Sequence, residues 1–65
     1  MNEKALNAYV QTMGQIEEYL SELQALVNDH LGNDPESINW GHVGCANHLA
    51  DLLKEAADFA NNRTN

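Results

Sequence analysis

A chain of 65 residues with 43% apolar content supports one small domain and no more. Ten carboxylates against three basic side chains (Lys4, Lys54, Arg63) leave a net charge of −7. This excludes the Lys/Arg patches on which direct nucleic-acid binding and docking to anionic membranes depend, and it favours a basic protein partner if there is one. The single cysteine, Cys45, excludes an intrachain disulfide, so support for so small a core is expected from association or a metal.

The opening Met1-Asn2-Glu3-Lys4 has neither the basic region nor the apolar core of a secretion leader. No apolar run approaches the length of about 18 residues that a membrane span needs. The expected setting is the cytoplasm.

A first helix is predicted over about 3–31. Asn2 supplies an N-cap and Glu3 a negative charge at the positive end of the helix dipole. Leu6, Tyr9, Met13, Ile16, Leu20, Leu23, Val27 and His30 follow at alternating spacings of three and four, which draws one unbroken stripe along the helix. Gly32 is the expected left-handed residue after the helix, with His30 in the last turn. Gly14 lies inside the helix beside the stripe, where close approach of a neighbouring helix would explain it.

The connector is predicted over 32–39, with Asp34 and Pro35 starting a single turn. A second helix is predicted over about 40–61, capped by Asn39 with Ile38 and Val43 in the positions of a hydrophobic staple. Two rows of this helix are small or apolar: Cys45, Leu49, Leu52, Ala56, Phe59 and Val43, Ala46, Ala50, Leu53, Ala57, Ala60. Asn47, His48, Asp51, Lys54, Glu55 and Asp58 occupy the remaining face. So wide an apolar surface needs more than one neighbour.

The predicted fold class is all-α: a two-helix antiparallel hairpin that dimerises into a four-helix bundle. Antiparallel pairing sets Val27 against Cys45, Leu23 against Leu49, Leu20 against Leu52, Ile16 against Ala56 and Met13 against Phe59. Leu20, Leu23, Leu49 and Leu52 become the centre of the core. Leu6, Tyr9 and Val10 overhang the second helix and call for a second copy, in a homodimer or a higher even oligomer.

Residues that could carry chemistry gather at the loop end: Trp40, His42, Cys45 and His48, with His30 brought near by the hairpin. His30, His42 and Cys45 are the metal candidates, with Asp29 or Asp34 as a fourth ligand. The simpler reading makes His30 the end of the stripe and Cys45 a small buried residue. His42 and His48 are six residues apart, about 120° around a helix, which does not suit one ion. Without a cleft or a group to stabilise an oxyanion, Cys45 and His42 make no catalytic pair, and neither an enzyme nor a bound cofactor is expected. The interaction residues are expected to be Trp40 and His42 at the loop end and Leu6, Tyr9 and Val10 at the overhang.

Asn39-Trp40-Gly41-His42-Val43-Gly44, followed by a helix carrying Leu52, Leu53 and Lys54-Glu55, resembles a segment of small uncharacterised helical-hairpin proteins of phages and bacterial genomes. The resemblance implies a phage or mobile-element origin and no activity, ligand or catalytic residue. The expected role is a protein–protein interaction module. The alternatives are an acidic phage-type inhibitor that mimics nucleic acid, and a metal- or ligand-binding module at the loop end.

Overall fold

The computed structural model describes residues 2–63. Their regular structure is entirely helical: two α-helices, α1 (Glu3–Asn28) and α2 (Trp40–Arg63), joined by a short loop with two 3₁₀ turns, His30–Gly32 and Pro35–Ser37. The chain divides into two units, residues 1–34 and 35–65.

In the first unit, Asn2 opens α1 from an extended backbone, and its side chain accepts a hydrogen bond from the Ala5 amide at 3.0 Å. A cap of this kind is worth about 1 kcal/mol, because it satisfies an amide that has no partner inside the helix. Good helix formers fill most of the following turns, with the β-branched Val10, Thr12, Ile16 and Val27 scattered among them. In the final turn, the Gln24 side-chain amide donates to Asn28 Oδ1 at 3.0 Å.

α1 stops at Asn28, three residues before the expected end near Leu31. His30 is therefore outside the α-helix, and the stripe on α1 closes at Val27. The cause is a reversal of backbone hand. His30, Leu31 and Gly32 have φ values of 55°, 56° and 78°, so the left-handed conformation expected of Gly32 alone begins two residues earlier. The turn is closed by the Gly32 amide on the Asp29 carbonyl and the Asn33 amide on the His30 carbonyl, each at 3.0 Å. Left-handed geometry is free for Gly32 but costs about 1–2 kcal/mol at each residue with a Cβ.

In the second unit, Pro35 starts the 3₁₀ turn, where its fixed φ is compatible and its missing amide costs nothing. α2 begins at Trp40, where the Val43 amide bonds the Asn39 carbonyl at 3.1 Å. It runs to Arg63, two residues beyond the expected end. Fraying is expected from the sequence over Asn62-Arg63-Thr64-Asn65; Asn62 and Arg63 belong to the helix, and Thr64 and Asn65 lie outside the described residues. On the polar face Lys54 and Asp58 form an exposed ion pair at 2.8 Å, one helical turn apart, which contributes a few tenths of a kcal/mol.

No described residue is buried. Of the four leucines expected at the centre of a core, Leu20 and Leu52 are 56% and 49% exposed, while Leu23 and Leu49 are half-buried. Cys45, expected in a buried row, is exposed. Within each unit, part of a side chain is covered by the neighbouring turns of its own helix.

Candidate functional site

The largest feature of the first unit is the apolar face of α1. At about 100° per residue, Leu6, Tyr9, Met13, Ile16, Leu20, Leu23 and Val27 fall within an arc of about 100°. Val10 widens the arc on one side, and Tyr19 and Leu26 widen it on the other. Nine large apolar side chains of α1 are exposed: Leu6, Tyr9, Val10, Met13, Ile16, Tyr19, Leu20, Leu26 and Val27. Single exposed leucines are ordinary on protein surfaces, whereas here they form one continuous row.

The flank of α1 beyond Leu6, running round to the far side of the helix, is acidic. Gly14, Glu17, Glu18, Ser21 and Glu22 line a shallow, open depression there. A Cβ built on Gly14 meets nothing within 4 Å, so nothing within the first unit requires a glycine at that position. Glu18 and Glu22 project about 150–170° from the centre of the stripe, as a solvated polar face does.

In the second unit the apolar arc of α2, from Phe59 round to Val43, spans about 200° on the same geometry. Leu52, Leu53 and Phe59 are exposed along it, while Val43 and Leu49 are half-buried. The many alanines in this arc (Ala46, Ala50, Ala56, Ala57, Ala60) leave room for neighbouring helices to approach closely.

Trp40 is the first residue of α2 and is 86% exposed, the highest value among the exposed large apolar residues. Its position follows from the cap beside it. Asn39 Oδ1 accepts from the amides of Gly41 and His42 at 2.9 and 3.2 Å, and His42 Nδ1 accepts from the Asn39 amide at 3.1 Å. The turn is thus closed in both directions, and Trp40 sits between the two capping residues. A Cβ on Gly41 would come within 3.1 Å of Asn39 Oδ1, a tight contact that the capping side chain would have to ease by a small shift.

This assigns His42 a local task in the cap of α2. Its signal was present: Asn39-x-x-His42 has the spacing of a capping box, with histidine at the position where Glu or Gln usually reaches back. An imidazole that accepts at Nδ1 holds its proton on Nε2 and has one nitrogen fewer for any other ligand.

The residues singled out for metal binding are distributed as follows. His42 and Cys45 stand in the first two turns of α2, and His30 stands in the left-handed turn after α1. Among the described residues, no group of three or more His, Cys, Asp or Glu is placed to hold a metal ion. Of the interaction candidates, Leu6, Tyr9 and Val10 lie exposed in the first two to three turns of α1. Trp40 lies exposed at the start of α2, and His42 is half-buried in its cap.

No described helix is long and apolar enough to cross a membrane. No protein-family model, curated protein or solved structure matches the chain.

Proposed function

We propose that this chain is a protein–protein interaction module whose two helices form an antiparallel hairpin, completed by a second copy in a homodimeric four-helix bundle. The observation that carries this reading is the row of exposed apolar side chains on α1 from Leu6 to Val27. A helix that displays such a row is only marginally stable alone in water, because helical stability in proteins comes mostly from packing an amphipathic face.

Two magnitudes favour a second copy over coverage by α2 alone. The stripe on α1 runs about 32 Å and the apolar rows of α2 about 26 Å, so one α2 leaves about a turn of α1 uncovered. The surplus falls at Leu6, Tyr9 and Val10 when the hairpin is drawn from the loop outward. The arc of about 200° on α2 is also roughly twice what one neighbouring helix occupies, leaving a face for a helix of the second copy.

The net charge of −7 suits solubility and a basic further partner, and argues against direct nucleic-acid and anionic-membrane contact. The reading includes a cytoplasmic setting, a phage or mobile-element origin and no catalytic activity of the chain's own. Trp40 is the recognition residue for such a partner, as a large, rigid side chain displayed at a helix end.

Sedimentation equilibrium from low to high micromolar concentration tests the assembly. The expected result is a mass of at least twice the 7.2 kDa chain, with a helical signal that strengthens as the mass rises. A fully helical single chain across that range would overturn the reading.

A further inference from the structure

The left-handed turn after α1 contains an unused turn of helix. His30 and Leu31 both carry a Cβ and both have positive φ, at 55° and 56°, beside a glycine that tolerates this geometry without cost. If the two residues returned to right-handed geometry, α1 would extend to Leu31 and stop at Gly32, already at φ 78°.

The extension would also change the apolar face. Leu31 follows Val27 by four residues and, on an ideal helix, falls inside the same arc as Leu20 and Val27. His30 follows Val27 by three and falls at the edge of that arc. In the turn as it stands, the exposed face of α1 ends at Val27, and Leu31 is half-buried in the turn itself.

We propose that assembly extends α1 by one turn: a second copy lying along the stripe converts His30 and Leu31 from left-handed to right-handed helix and adds Leu31 to the contact surface. The inference rests on the homodimer reading above. A covered stripe rewards Leu31 for joining it, whereas an uncovered stripe offers it only water. The left-handed geometry at two residues with side chains is what the extension relieves. Asp34-Pro35 limits the gain, since the residue before a proline is held away from helical geometry.

The test is a dilution series of the full chain by NMR, with the mass of each sample measured by sedimentation. Positive φ at His30 and Leu31 gives strong amide–Hα cross-peaks within the residue. Right-handed helix replaces them with contacts from Val27 Hα to the amides of His30 and Leu31. The expected result is that the second pattern grows in step with the dimer fraction. A dimer that keeps the left-handed pattern overturns this inference and leaves the homodimer standing, whereas a chain that never dimerises overturns both.

His30→Gly gives an independent readout. Glycine stabilises the left-handed turn, so dimerisation should weaken by about fivefold or more if the turn must be lost on assembly. If the turn persists in the dimer, glycine relieves both states equally, the dissociation constant is unchanged, and the inference fails.

Discussion

Asn39 and His42 close the first turn of α2 on each other. The side chain of each accepts a hydrogen bond from the backbone amide of the other, at 3.2 and 3.1 Å. Asn39 also takes the Gly41 amide at 2.9 Å, so three amides at the start of α2 are satisfied by two side chains. That arrangement orients the entering chain, and it leaves Trp40 displayed between the two capping residues.

The cap has separable halves. Asn39→Ala removes the acceptor for two amides and is expected to lower stability by about 1 kcal/mol. His42→Ala removes one acceptor from an exposed bond and should cost about 0.5–1 kcal/mol. His42→Gln should recover most of that loss, because Gln at this position reaches back to the same amide. Urea titrations of the three variants decide the order. If His42→Gln were as weak as His42→Ala, the reciprocal bond would not contribute.

Zinc is expected to leave the melting temperature unchanged. Nδ1 of His42 is engaged with the Asn39 amide, and no third His, Cys, Asp or Glu is placed beside His42 and Cys45 to complete a site among the described residues. A Zn²⁺-dependent rise in melting temperature that His42→Ala abolishes would restore the metal reading.

Gly14→Ala should stabilise the chain by about 1 kcal/mol, since alanine is the better helix former and its Cβ meets nothing within 4 Å. The position faces the depression lined by Glu17, Glu18, Ser21 and Glu22, away from Ile16 and Leu23. Dimer mass should therefore be unaffected. A weaker dimer would mean that a neighbouring helix approaches this acidic side.

Leu20→Ala separates a lone helix from an assembled one. In the single chain Leu20 is 56% exposed, and truncating it would cost little. In a bundle it becomes a core residue whose loss costs about 2–5 kcal/mol, a large part of a typical domain's stability of about 5–15 kcal/mol. The expected outcome is a collapse of both dimer mass and thermal transition at micromolar concentration. A melt within a degree or two of the parent would remove Leu20 from any core.

Trp40→Ala should change neither the helical signal nor the dimer mass, because a side chain 86% exposed contributes little to packing within the chain. Circular dichroism and light scattering of the variant check this. Loss of the dimer would place Trp40 in the seam between copies instead of on a surface open to another partner.

What the chain determines by itself is set by local physics. Asn2 and Asn39 announce helix starts because a short polar side chain next to an apolar run can reach the free amides of the first turn. The stripe from Leu6 to Val27 is legible because spacings of three and four match the helical repeat. The end of α1 was less legible. The periodicity continues through His30 and Leu31, and Gly32 offers a natural stop, so the pattern favours a longer helix than the one formed.

The three-dimensional structure decided the rest. Only the backbone shows that the chain reverses hand at His30, since a residue with a side chain carries no outward sign of positive φ. The task of His42 depended on where its ring points: the same residue could have aimed at a ligand, yet it turns back to the Asn39 amide. Exposure, too, belongs to three dimensions. A periodic apolar pattern states which side chains share a face, while burial depends on what lies against that face, and the side chains from Leu6 to Val27 remain exposed or at most half-buried.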